Sequence, residues 1–92
     1  MAALPSLRQL GYLVALAQHL SFTRAAAACF VTQSTLSAGL KELEATLGAT
    51  LVERDRQSVL MTPLGLEVAA RARGLLAAAR TSSASPPLRP SR

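Results

Sequence analysis

Thr32, Gln33, Ser34 and Thr35 stand where a leucine-lined helix begins, and none of the four helps to build a core. Their chemistry is hydrogen bonding. The free N–H groups of a first helical turn and the positive end of the helix dipole attract phosphate oxygens, and a glutamine amide can engage a base edge bidentately, most naturally adenine. Other reactive side chains are sparse. A lone Cys29 cannot form an intramolecular disulfide, and a single His19 leaves no second imidazole for a metal site. Cys29 is expected on the inner side of its helix as a small buried hydrophobe rather than a redox switch. His19, near the end of the first helix, is expected to interact with the helix dipole. Glu42, Glu44, Glu53 and Asp55 can be imagined as a metal or acid/base cluster, but Glu44 is better placed to pair with Lys41 at three-residue spacing. No pair of titratable groups accompanies a nucleophile at a useful spacing, so no enzyme, metal or cofactor is expected.

The elements that position these residues are bounded by the chain as a whole. Ninety-two residues leave room for one domain, near the smallest core that folds unaided. Half the residues are hydrophobic but only 3% are aromatic, so the core must come from Leu, Ala and Val on closely approaching helices. The formal charge of +5 suits an anionic partner, although Arg89 and Arg92 lie in the tail. No apolar run reaches the roughly 20 residues needed to cross a bilayer. The N-terminal stretch imitates a secretory signal, yet its only charge, Arg8, follows Leu4 and Leu7 instead of leading, and export is not expected.

Leu7, Leu10, Leu13, Val14, Ala17 and Leu20 recur at helical spacing, so residues 6 to 20 read as an amphipathic helix with Ser6 as N-cap. Thr23 is expected to cap a short alanine-lined second helix, "RAAAACF". Thr32 caps the third, with Val31 and Leu36 at the positions of a hydrophobic staple and Gly48 closing the helix. Leu51-Val52 and Val59 to Met61 flank a polar middle from Glu53 to Ser58 and read as a short hairpin. Thr62-Pro63 then starts a helix over residues 63 to 80, about 27 Å long. From Thr81 the composition, "TSSASPPLRPSR", is that of a disordered segment.

On a 100° wheel Leu36, Leu40, Leu43 and Leu47 share one stripe of the third helix. Ser34, Ala38, Lys41, Glu42 and Ala45 point the opposite way, with Thr35 and Ser37 at the flanks. Taken alone, Thr32 reads as only a cap, and Ser34 and Thr35 as solvated residues. Context reverses that. A short helix, a tight turn and a second helix with an accessible start are the parts of a helix-turn-helix, and the hairpin and long helix that follow make it winged. The expected fold is therefore mainly α: a three-helix core, a β-hairpin wing and a long C-terminal linker helix. Residues 1–62 form the winged domain, 63–80 the linker and dimerisation helix, and 81–92 a disordered tail.

The run "SFTRAAAACFVTQSTLSAGLKELEATLGATLVERDRQSVLMTPLG" resembles the N-terminal DNA-binding domain of LysR-type bacterial transcription regulators, over about residues 6 to 80. Within that family, "CFVTQ" and "LVER" look most like the peroxide-responsive activator branch. The resemblance implies that the third helix enters the major groove of duplex DNA and the wing reaches the minor groove. It also implies that the fourth helix pairs with that of a second subunit, on an interrupted inverted repeat, in the bacterial cytoplasm and nucleoid. Carried over residue by residue, it places Gln33, Ser34, Thr35 and Ser37 at base- and backbone-contacting positions and Arg54 at the base of the wing. Thr32, Ala38, Lys41 and Arg56 complete the expected DNA face. Ala38 and Gly39 replace polar or basic residues common in relatives, which leaves fewer side chains to read bases. Gly39 also costs roughly 1 kcal/mol relative to alanine unless a neighbouring helix needs the space.

On the fourth helix Leu64, Val68, Leu75 and Ala79 lie near one face, and Leu66, Ala69, Leu76 and Ala77 extend the apolar surface around it. Arg71, Arg73 and Arg80 form the wet side. A homodimer through residues 63–80, using Leu66, Ala69, Leu76 and Ala77, is expected. Relatives continue into a two-lobed effector-binding domain where this sequence has its Pro/Ser-rich stretch, so no small-molecule effector site is expected. The alternative function is an interaction module that pairs with full-length regulators through the same helix. A membrane-surface protein fits less well, since the cationic side chains are scattered and no helix has an aromatic anchor.

Overall fold

The structure, a computed structural model, describes residues 5–55 and 58–84, with residues 79–84 described as backbone alone. Four helices and a hairpin follow in the order α1 (Leu7–His19), α2 (Phe22–Ala28), α3 (Gln33–Leu47), β1 (Val52–Arg54), β2 (Val59–Met61) and α4 (Pro63–Ala84). This is a winged helix-turn-helix with a long C-terminal helix.

Each start has a visible cause. Ser6 and Gln9 form a capping box: the Gln9 N–H donates to Ser6 Oγ (3.0 Å), and the Ser6 N–H donates back to Gln9 Oε1 (3.3 Å). The cap of α2 differs from the expectation. Ser21, with extended backbone, accepts the Arg24 N–H at 3.2 Å, so α2 begins two residues early and Thr23 lies inside its first turn with its hydroxyl released. Thr32 caps α3 as expected, accepting the Thr35 N–H at 3.1 Å. Gly48, with φ of +67°, ends the helix by donating its N–H to the Glu44 carbonyl.

The strands pair antiparallel with Val52 opposite Met61 and Arg54 opposite Val59. Strand β1 thus reaches into the polar stretch expected to form the turn, while Leu51 falls outside it and is fully buried. Burial of the leucine decides its place, and strand pairing decides that of Glu53 and Arg54. Helix α4 is capped by Thr62, whose Oγ1 accepts the Gly65 N–H at 2.9 Å. It continues to Ala84, four residues past the expected boundary; the rest of the tail lies outside the described residues.

Helix α1 is the centre of the core, contributing Leu10, Tyr12, Leu13, Ala15 and Leu16 against Ala25, Ala26, Leu36, Leu40, Leu43 and Leu51. Leu13, Leu16, Leu36, Leu43 and Leu51 are fully buried, each contributing about 1.5–3 kcal/mol. Two glycines permit close approach. A Cβ on Gly39 would stand 2.6 Å from the ring of Tyr12, so a neighbouring helix does need the space, and Gly39 belongs to the core side of α3, not its outer face. A Cβ on Gly65 would overlap the Leu51 carbonyl oxygen, which fixes how closely α4 approaches the wing.

Candidate nucleic-acid interface

The leucines of α3 turn inward with Gly39, and the opposite side of the helix is open. Gln33, Ser34, Thr35, Ala38 and Lys41 are exposed, as is the capping Thr32, and Ser37 is half-buried. The sequence-predicted surface is therefore assembled on one face, apart from Arg56, which lies outside the described residues. Several of its side chains are held by hydrogen bonds. Thr32 Oγ1 accepts the Thr35 N–H and also lies 3.0 Å from Thr35 Oγ1, so one cap fixes two hydroxyls. Gln33 Nε2 donates to Thr23 Oγ1 at 2.9 Å, linking the first residue of α3 to the first turn of α2.

Arg54 comes to the same place from the wing. Its guanidinium donates to Ser37 Oγ at 2.6 Å and lies 4.2 Å from the centroid of the Phe22 ring, a stacked cation–π contact. A groove between the starts of α2 and α3 and the wing is lined by Phe22, Thr23, Gln33, Ser37 and Arg54. Phe22 and Thr23 were not anticipated as part of it. The signal was the Ser-Phe-Thr sequence itself: with Ser21 recognised as the cap, Phe22 and Thr23 fall on the helix and beside α3.

The wing is anchored from the far end of α3. Glu44 Oε2 accepts the backbone N–H groups of Leu51 (2.8 Å) and Val52 (3.1 Å), so Glu44 does not pair with Lys41 as expected. Two backbone donors at the start of a strand outcompete one mobile ammonium in water. Lys41 makes no ion pair among the described residues, where the salt bridge is Glu67–Arg71 on α4. Glu42, also exposed, accepts from Gln9 Nε2 at 3.0 Å and ties α3 to α1. Its charge borders a second groove that holds Arg8, Thr35 and Ala38.

Cys29 sits at the C-cap of α2, partly buried against the core, and burial pushes its thiol above the ordinary value. That is the environment of a protonated thiol, not of a reactive thiolate. His19 is the exposed last residue of α1. Among the described residues, no helix is long and apolar enough to cross a membrane.

On α4 the sequence-predicted interface is divided. Ala69 is 3% exposed and belongs to the core, and Leu76 is half-buried, whereas Leu66 and Ala77 face outward. The small residues Gly65, Ala69 and Ala72 are the buried ones, because only they admit the close approach of α4 to α1 and to the Leu51 carbonyl. The bulk is left outside: Leu64, Leu66 and Leu75 are 41%, 55% and 55% exposed.

Residues 7–66 match the family described as bacterial regulatory helix-turn-helix protein, LysR family. The chain is 68% identical over 80 residues to the HTH-type transcriptional regulator EstR of Acinetobacter baylyi, an alignment covering 87% of this chain and 27% of EstR. It is 46% identical over 71 residues to the DNA-binding transcriptional dual regulator OxyR of Escherichia coli K12, covering 77% of this chain and 23% of OxyR. The chain thus spans about a quarter of the length of these curated relatives. Among solved structures it resembles the protein of the BenM_DBD/catB site 1 DNA complex, with a TM-score of 0.80 and 36% identity over 85% of this chain and 87% of that one. Sequence and fold agree: the chain belongs to the LysR family of bacterial regulatory helix-turn-helix proteins.

Proposed function

We propose that this chain binds duplex DNA sequence-specifically in transcription regulation, as a homodimer on an inverted repeat in the bacterial cytoplasm. The observation that carries the reading is the exposed, leucine-free face of α3, with Gln33, Ser34 and Lys41 outward and Arg54 held beside it. A similar fold in the BenM_DBD/catB complex is bound to DNA, which supports the same use here. Helix α3 enters the major groove start first, so its free N–H groups meet phosphate while Gln33 and Thr35 meet base edges. Lys41 and Arg54 supply charge to the backbone, and Arg56 is proposed to join them from the wing. The exposed flank of α4 that carries Leu66 and Ala77 supplies the dimer contact.

Selection of bound duplexes from a random library, followed by titration of the enriched sequence against scrambled DNA, tests the reading. A two-fold symmetric consensus bound at least a thousandfold tighter than scrambled DNA is expected. Equal affinity for all sequences refutes it. The exposed leucines of α4 also suit a second reading, in which the helix pairs with longer LysR-type regulators. Co-purification of such a partner in preference to a second copy of this chain distinguishes the two.

A further inference from the structure

The hydrogen bond between Thr23 and Gln33 does more than join two helices. Thr23 is exposed in the first turn of α2, and Gln33 is the first residue of α3 and equally exposed, so packing does not explain their contact. A glutamine amide carries two N–H donors and one acceptor oxygen. With one N–H donating to Thr23 Oγ1 at 2.9 Å, the second N–H and Oε1 remain as the fork that a bidentate contact with adenine requires. A free glutamine on a helix surface must instead lose its rotamer freedom when it meets the base.

We propose that Thr23 is a positioning residue that sets the base preference of Gln33. It fixes the plane of the amide before DNA arrives, so that the correct base pair gains both hydrogen bonds without further ordering. The inference rests on the reading of Gln33 as a base contact. Neighbouring groups sharpen the geometry. Phe22, one residue earlier, lies under the Arg54 guanidinium, so the same turn of α2 holds Arg54 with Phe22 and Gln33 with Thr23.

The test uses the full chain, the duplex enriched by selection and its single-base-pair variants. Thr23→Val is expected to lower discrimination at one base pair per half-site about three- to tenfold, the range of one lost hydrogen bond, at unchanged salt slope. Thr23→Ser should keep the preference. In a Gln33→Ala background, Thr23→Val should change nothing further. If Gln33→Ala removes the preference while Thr23→Val leaves it intact, the positioning role is overturned and the base reading stands. If Gln33→Ala leaves the preference intact, the base reading itself fails. A uniform loss on every sequence, with a shallower salt dependence, would make Thr23 a phosphate contact and would equally overturn the proposal. Helical circular dichroism of each variant confirms that Thr23, being exposed, is dispensable for folding.

Discussion

Replacing Arg54 with alanine removes one positive charge per subunit and leaves the core untouched, because the side chain is exposed and its partners are the Phe22 ring and the Ser37 hydroxyl. If that charge neutralises a phosphate, each half-site loses about 0.9 from the slope of log K against log salt. A dimer on two half-sites therefore loses close to 1.8. Relative to a 1 M reference, each contact is worth about 0.9 decade at 0.1 M salt and about 0.6 decade at 0.2 M. The dimer should thus bind about 60-fold more weakly at 0.1 M and about 20-fold more weakly at 0.2 M, on specific and scrambled DNA alike. Fluorescence anisotropy across 0.05–0.3 M salt measures this directly. Arg54→Lys separates charge from shape: it keeps most of the slope while losing the planar stack on Phe22. An alanine variant whose affinity loss is the same at every salt concentration would show that Arg54 acts by holding the wing, not by meeting phosphate.

Other parts of the molecule give independent expectations. Glu44→Ala leaves the N–H groups of Leu51 and Val52 without their carboxylate, and should cost about 1.5–3 kcal/mol, read as a melting temperature lower by about 6 °C or more; an unchanged melt would show that water replaces the anchor fully. Phe30 is 94% exposed and has a φ of +60°, so Phe30→Asn should stabilise the fold by about 0.5–1 kcal/mol, and a lower melting temperature would contradict the assigned strain. Gly65→Ala drives a methyl into the Leu51 carbonyl, which also accepts the Thr62 N–H, and should destabilise by about 2–3 kcal/mol in chemical denaturation, whereas a neutral effect would place α4 further from the wing. Burial raises the Cys29 thiol above its ordinary value, so its alkylation should turn on at higher pH in the folded protein than in urea. As pH rises past the ordinary thiol value the unfolded chain gives up its proton first, so the Cys29 contribution to stability falls until the folded-state value is passed.

Most of the fold was legible because its signals are local. Ser6, Thr32 and Gly48 are capping residues with one good geometry each, and the leucines at 36, 40 and 43 define the buried side of α3 whatever lies around them. What escaped depends on distant partners. Thr23 and Ser21 are equally good caps in isolation, and only the position of α3 shows why the hydroxyl of Thr23 is better used on Gln33. Glu44 has Lys41 within local reach, yet its partners arrive seven and eight residues later, when the chain folds back as the wing. Ala69 was expected outside because apolar residues surround much of α4, and periodicity alone cannot say which arc faces α1. Gly65 and Gly39 decide that arc and the neighbouring packing by contacts no spacing rule contains.

The inversion of size on α4 also indicates which side of it a second subunit would cover. On a 100° wheel the buried Gly65, Ala69 and Ala72 lie between two exposed flanks. Leu64 and Leu75 form one, bordered by the Glu67–Arg71 ion pair, whose charges stay solvated at 58% and 79% side-chain exposure. Leu66, Ala70 and Ala77 form the other, and Ala77 continues into a groove against α1 lined by Val14, Gln18, Arg73 and Leu76. A partner helix on the first flank would have to dehydrate an ion pair, which costs more than a surface pair returns. On the second it meets Leu66, two alanines and an existing groove bordered by Arg73, whose charge can stay solvated at the rim. The proposed homodimer therefore belongs on the Leu66 and Ala77 flank, and Ala77→Glu should abolish dimerisation in sedimentation equilibrium while Leu75→Glu leaves it intact; the reverse pattern would move the interface to the other side of the helix.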